Sequence, residues 1–255
     1  MNHTLTVLNK FEAITLKEMD NVKLMNRTDT KFTFNIMQFE KALDIVLNDY
    51  RILEVEGKRV SRYKTLYYDT KGFNLYAKHH NGQLNRYKIR HRTYVESKIG
   101  FLEVKFKNNK GRTIKSRIKQ AETTETWNGD AKTFLDNMLP FEPHTLVPVI
   151  WVNYSRLTLV NKNSAERLTI DLDLEFVNGD KTEKLSNLVI AEVKQESKKA
   201  SPFLKAMKQL HIREGSISKY CMGIALTSDG VKKNNFKEKL NNIKHILNDN
   251  SITNS

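Results

Sequence analysis

Charged and apolar residues alternate through four stretches of this chain. Arg86, Lys88, Arg90 and Arg92 take every second place in NRYKIRHRTY, and Glu103, Lys105 and Lys107 do so in FLEVKFKN. Lys115, Arg117 and Lys119 alternate in TIKSRIKQ, and Arg167, Asp171, Asp173 and Glu175 in ERLTIDLDLEF. A β-strand sends successive side chains to opposite faces, so each stretch predicts a strand with one charged face. Leu102, Val104 and Phe106, or Leu168, Ile170, Leu172 and Leu174, then take the other. One such strand is the ordinary solvent side of a half-buried sheet, and Glu103 beside Lys105 an ordinary salt bridge. Several strands carrying Arg and Lys on one face weaken that plain reading.

The remaining pattern fills in around these strands. Residues 1–22 predict a short helix with flanking coil. MNRTDTKFTF (25–34) predicts a strand with Arg27, Asp29 and Lys31 on one side and Phe32 and Phe34 on the other. Phe39, Ala42, Leu43, Val46 and Leu47 recur at helical spacing within 36–50. Residues 61–70 predict a strand and 72–82 a helix ending near Asn81-Gly82. The charged strands occupy 84–94, 100–107 and 112–120, the last two joined by a hairpin across Asn108-Asn109 and Lys110-Gly111. A helix over 125–139 precedes a loop punctuated by Pro140, Pro143 and Pro148. Strands over 149–160 and 166–176 form a second hairpin, and 185–197 is a strand on which Glu192 and Lys194 face together. Ser201-Pro202 starts a helix. Residues 216–226 read as a turn followed by a strand or short helix, and 234–249 as a polar amphipathic helix. No composition break divides the chain, so residues 1–255 are expected to form one domain, with 234–255 as its C-terminal helix and tail. With seven or eight strands, closure of the sheet would remove its open edges and turn the charged face into a lumen. The expected class is α+β, a closed antiparallel eight-stranded β-barrel tunnel with flanking helices.

Charge sharpens the picture. Across 255 residues Lys and Arg number 43 against 29 Asp and Glu, a formal net charge of +14. A field of that sign attracts polyanions: nucleic acid, anionic lipid, nucleotides or phosphate chains. The one cysteine, Cys221, excludes an internal disulfide and a cysteine metal cluster and reads as a small buried residue. His79, His80 and His91 read as surface or packing residues, and Tyr67, Tyr68 and Tyr76 as core. No G-x-x-x-x-G-K-[ST] loop, G-x-G-x-x-G turn or G-x-S-x-G elbow occurs. No run approaches the roughly 20 apolar residues of a membrane helix, and the first residues contain acids and lack a signal peptide's apolar core. The expectation is a cytoplasmic protein, free or held at the inner face of a membrane through a separate membrane protein, with no specific nucleic acid partner.

Arg and Lys bind phosphate, Arg through a planar fork and Lys as a point charge. Glu103, Asp171, Asp173, Glu175 and Glu192 on such a face would repel a polyphosphate unless a hard cation such as Mg²⁺ or Mn²⁺ took carboxylate and phosphate oxygens together. Phosphoryl transfer asks for little more than positioning and charge neutralisation.

The order of motifs resembles a known family. R-x-T-x-K-[FY] (Arg27 to Phe32) is followed by LYYDT (66–70), R-x-K-x-R-x-R-x-Y (Arg86 to Tyr94), FLEVKFK (101–107), K-S-R (115–117), NYSR (153–156), R-L-T-I-D-L-D (167–173), AEVK (191–194) and SKYCMG (218–223). This is similar to the catalytic domain of the vacuolar transporter chaperone (VTC) polyphosphate polymerases, in the triphosphate tunnel metalloenzyme (CYTH-like) superfamily. The resemblance runs from about residue 25 to 226. It implies an eight-stranded tunnel holding a triphosphate and a divalent metal, Mn²⁺ or Mg²⁺. It also implies a phosphotransferase that moves the γ-phosphoryl group of ATP onto polyphosphate. Lys31, Arg90, Arg92, Lys105, Lys107, Lys115, Arg117, Arg156 and Arg167 would bind phosphate, Ser218 and Lys219 would close over it, and Glu192 would hold the metal. Lys31, Arg90, Arg92, Lys105 and Lys219 would act in catalysis. The E-x-E-x-K run of the hydrolase and cyclase branches is missing, and RTDTKF in its place leans toward the polymerase branch. A triphosphate hydrolase of the same fold and a non-catalytic polyphosphate-binding module are the alternatives.

Overall fold

Antiparallel ladders carry most of this protein. The computed structural model describes residues 2–20, 28–197, 199–215 and 217–248. The strands are β1 (Glu12–Ile14), β2 (Thr28–Asn35), β3 (Tyr50–Leu53), β4 (Ser61–Thr70), β5 (Arg86–Tyr94), β6 (Ile99–Lys107), β7 (Thr113–Lys119), β8 (Leu146–Asn161), β9 (Glu166–Asn178), β10 (Lys181–Leu185) and β11 (Leu188–Gln195). The helices are α1 (Asn2–Lys10), α2 (Leu16–Asp20), α3 (Ile36–Val46), α4 (Asn74–His80), α5 (Gly129–Met138), α6 (Pro202–Gln209), α7 (Lys219–Thr227) and α8 (Lys237–Asn248). Arg27 and the start of its strand lie outside the described residues, as do the last residues of the tail.

Eight strands follow one another in the order β2-β11-β9-β8-β4-β5-β6-β7, with β1, β3 and β10 attached beside that path. The expected closure is not found: among the described residues β2 and β7 end the path without pairing to each other, so the sheet is open. It is nevertheless rolled. Lys31 on β2 and Lys88 on β5 stand five strands apart, about 24 Å across a flat sheet at the usual strand spacing. Both line the same cavity of about 230 Å³.

The two faces divide the labour. On the back, Leu168, Ile170 and Leu172 of β9 pack with α1, α3 and α6 through Leu8, Phe39, Leu43, Phe203 and Met207. Farther along, Leu66, Ile89, Leu102 and Val104 pack against Leu135 of α5. Local signals fix these helices. Asn35 and Gln38 cap α3 reciprocally, each side chain accepting from the other's backbone N–H. Ser201 caps α6 with Pro202 in its first turn, as the sequence predicts. At one end of the inner face α7 lies on Ile150, Val152, Leu174 and Phe176. The segment 216–226, open between strand and helix in sequence, is thus largely helix.

Two strands depart from simple alternation. Pairing of β8 with β9 shifts between Asn153 and Ser155, and Asp173 adopts φ 52°. That bulge reverses the faces: Leu174 and Phe176 turn inward under α7, and Glu175 turns outward to Asn153 and Lys184. The expected inner position of Glu175, and the back position of Leu174, are therefore corrected. Pro148 belongs to β8 and not to a loop. It sits where pairing with β4 shifts register, where a missing N–H is tolerated. Strands β1, β3 and β10 are too short to have carried a pattern.

Gly100, the second residue of β6, lies against the chain just past the end of β7. A Cβ there would lie 2.2 Å from the carbonyl oxygen of Gln120 and 2.6 Å from that of Ala121. Gly100→Ala is expected to destabilise the fold by about 1–3 kcal/mol in urea unfolding. A variant within about 0.5 kcal/mol of wild type would show that this approach is not tight.

Candidate functional site

Ladder register places the sequence-predicted residues on one surface. Lys31 pairs with Glu192, Glu192 with Thr169, and Lys194 with Arg167. Arg156 lies opposite Asp171. Arg90 lies opposite Glu103, Lys88 opposite Lys105 and Arg86 opposite Lys107, while Glu103 and Lys105 face Arg117 and Lys115. Rolling turns this surface inward, so Lys31, Arg90, Arg92, Lys105, Lys107, Lys115, Arg117, Arg156, Arg167 and Glu192 share it.

Three carboxylates organise the cations. Glu192 accepts from Lys31 at 2.9 Å and Lys194 at 2.7 Å. Burial opposes its charge, but Lys194 and Lys31 overcome this and hold the carboxyl well below the ordinary range. Asp171 takes a two-point contact from Arg156 and a further one from Lys219. Against the cost of burial, these two cations hold it far down. Glu103 is fully buried between Arg90 and Lys115, and they and Arg92 outweigh its burial in the same sense.

Aromatic rings support the guanidinium groups. Arg92 and Arg156 each lie 5.3 Å from the centroid of Tyr63, which stacks on Tyr154. Arg117 sits 4.4 Å over Phe101, and Lys219 5.0 Å over Tyr154. Such contacts fix cation geometry without cancelling charge. Arg90 donates to the Tyr67 hydroxyl at 3.1 Å, and Tyr67 stacks on Tyr220 of α7. Asp69 anchors that helix: it accepts the Tyr220 hydroxyl and the backbone N–H groups of Leu75 and Tyr76 at the start of α4. Burial raises its pKa despite these donors. Ser218 caps α7, so Ser218 and Lys219 stand at the helix start beside the inner face.

Lys105 is one of the inner cations for which no ion pair is seen among the described residues. Arg90 is the chief influence on it, followed by burial and Arg92, and together they press its ammonium well below the usual lysine range. Glu103 compensates only in part. Positive charge is concentrated here beyond what the protein's own acids neutralise.

The predicted metal ligand requires a test against its surroundings. Among the described residues no three His, Cys, Asp or Glu side chains gather into a metal cage. Glu192 supplies one carboxylate and is held by two lysines. One carboxylate completed by phosphate oxygens and water is the usual way Mg²⁺ is held, so the donor set fits a metal arriving with a phosphate ligand. Asp171 and Glu103 are engaged with cations, Asp173 is exposed at the bulge, and Glu175 faces away. The sequence pattern gave no sign of the Tyr63–Tyr154 stack or the Asp69–Tyr220 contact. Both join residues far apart along the chain.

An open antiparallel sheet rolled around a cationic inner face is the frame on which these residues meet. The VTC domain matches residues 26–228, and the chain belongs to that family. No curated protein matches the sequence. Among solved structures, the Hippeastrum protein HpAC1, described as an adenylyl cyclase candidate with a dominant triphosphatase activity, superposes with a TM-score of 0.50 at 12% identity. That superposition covers 80% of this chain and 97% of the other. A Bacillus halodurans protein described as an adenylate cyclase candidate gives 0.48 at 13% identity, covering 76% and 96%. At 12% identity the likeness to HpAC1 is one of fold alone. No described helix is long and apolar enough to cross a membrane.

Lys105 yields a signed prediction. With its folded pKa depressed, the folded state binds fewer protons than the unfolded chain between that value and the ordinary 10.5, so stability rises with pH through this window. Lys105→Met should therefore stabilise the ligand-free protein by about 1 kcal/mol, or about 2–4 °C in Tm, and flatten that pH dependence. The same variant should bind tripolyphosphate more weakly by calorimetry. A lower Tm with unchanged binding would contradict this reading of Lys105.

Proposed function

We propose that this protein is a metal-dependent polyphosphate polymerase that transfers the γ-phosphoryl group of ATP onto a growing polyphosphate chain. The observation that carries the reading is the excess of cations around Lys105, Arg90 and Arg92 on a rolled inner face, which a chain of phosphates would neutralise. VTC-domain membership supports the same substrate class.

In this reading Arg90, Arg92 and Lys105 grip the transferring phosphoryl group, and Lys31 and Lys219 orient the phosphates on either side. Lys107, Lys115, Arg117, Arg156, Arg167 and Ser218 bind the rest of the chain. A terminal oxygen of the acceptor attacks the γ-phosphorus, the bond from that phosphorus to the β–γ bridging oxygen breaks, and ADP leaves with the electron pair. Equatorial oxygens gain charge during transfer, and fixed guanidinium and ammonium groups stabilise it without rearranging. Glu192 would hold a divalent ion, Mn²⁺ or Mg²⁺, which supplies further charge neutralisation between phosphates. Lys31 and Lys194 keep Glu192 ionised for that role. ATP and polyphosphate are the partners proposed, with the chain working in the cytoplasm beside a separate membrane protein.

Incubation with ATP and Mn²⁺ or Mg²⁺ should yield long phosphate chains and ADP. Glu192→Gln should lower kcat at least about 10²-fold in a protein that stays folded at the assay temperature, with a lowered unfolding midpoint because Lys31 and Lys194 lose their shared carboxylate. Release of orthophosphate without polymer would assign the site to triphosphate hydrolysis. Binding of polyphosphate with no ATP consumption under either metal would remove catalysis altogether.

A further inference from the structure

One cavity joins two assigned residues, Lys31 and Ser218, to three cations given no role above, Arg86, Lys88 and Lys239. It holds about 230 Å³ between β2, β5, α4, α7 and α8. Its walls bring together Lys31, Arg86, Lys88 and Lys239, with Ser218 at the start of α7. Neither Asp nor Glu is among the described residues that line it. Lys88 donates to the Ser218 hydroxyl at 2.9 Å, a neutral partner. Arg86 donates to the Gln83 carbonyl at 2.8 Å, and its Nε is buried without a hydrogen-bond partner. Among the described residues no carboxylate forms an ion pair with Arg86, Lys88 or Lys239.

Physical cost makes this arrangement informative. Like charges brought together away from water destabilise a fold unless an opposite charge joins them. Burial lowers the pKa of Lys88, and burial together with Lys88 and Arg86 pushes His79 down to about 3. His79 is therefore a neutral wall and adds no charge at neutral pH. The outer wall is α8, whose Leu240 and Ile243 face the cavity while Ile243 is buried in the core beneath α7. The compartment is thus cationic on the sheet side and, apart from Lys239, apolar along α8, which suits a small, highly charged ligand better than a flat aromatic one.

We infer that this cavity is a second anion site, holding a phosphate group through Arg86, Lys88 and Lys239. Lys31 joins it to the inner face, because its ammonium also meets Glu192. The ligand is either the far end of a phosphate chain that also occupies the inner face or a free orthophosphate ion. The chemistry of recognition is the same for both. The inference rests on the phosphate-chain reading of the inner face, but its test reads binding and needs no turnover. Failed polymerisation and a failed second site therefore give different results.

Calorimetry in metal-free buffer separates the cases. Linear tripolyphosphate and linear octaphosphate are titrated into wild type and into Arg86→Met/Lys88→Met. Orthophosphate is titrated separately into each protein saturated with tripolyphosphate. If the cavity holds a chain end, octaphosphate should bind wild type roughly tenfold or more tightly than tripolyphosphate, and the double variant should lose that gain. If it holds a free ion, orthophosphate should fill one further site on wild type and none on the double variant. Lys239→Met, on an exposed position of α8, should weaken whichever effect is seen several-fold without disturbing the fold. The inference is overturned if wild type shows neither the chain-length gain nor the extra orthophosphate site. It is equally overturned if both variants retain wild-type binding.

Discussion

Repulsion among cations on the rolled inner face is the constraint to which the rest of the structure answers. Arg90, Arg92, Lys105 and Lys115 converge around one buried carboxylate, Glu103. Arg156 and Lys219 converge on Asp171, and Lys31 and Lys194 on Glu192. Each acid holds cations in place while leaving the face positive. A surface neutralised one for one would be rigid but inert toward phosphate. This one stays short of its complement, most plainly at Lys105.

Holding repelling groups together requires a firm scaffold. Two hydrophobic clusters behind the sheet supply it, one under α1, α3 and α6 and the other under α5. On the inner side α7 seals one end, tied by Tyr220 to Asp69 and packed through Gly223. A Cβ on Gly223 would approach Ile150 and Phe176 to 2.6 Å, so the helix lies close to the sheet there. That closeness brings Lys219 to Asp171 and Ser218 to Lys88. The aromatic rings of Tyr63 and Tyr154 complete the support by lying against the guanidinium groups of Arg92 and Arg156.

Much of this was legible in sequence because strand alternation is strict where one face is greasy and the other charged. Arg86, Lys88, Arg90, Arg92, Glu103, Lys105, Lys107, Lys115, Arg117 and Lys119 sit on the inner face as their spacing predicts. Alternation fails at Asp173, because a bulge is one extra residue in a ladder and leaves no periodic trace. It misplaced Glu175 and Leu174 for that reason alone. That the sheet stays open between β2 and β7 was not legible either, since pairing between strands distant in sequence is set by roll and twist. The cluster of Arg86, Lys88 and Lys239 needed the structure, because α8 is a polar amphipathic helix whose placement no local signal reveals.

Thermal unfolding with tripolyphosphate tests the central claim most directly, using sodium chloride at matched ionic strength as the reference. A face short of anions should gain stability from the ligand as binding to the folded state alone dictates, about 2.7 kcal/mol at a hundredfold excess over Kd. That gain should shrink as chloride is raised, since salt screens the attraction. Equal stabilisation by chloride and tripolyphosphate would contradict the account, because it would mean that the inner cations need only screening and recognise no phosphate chain.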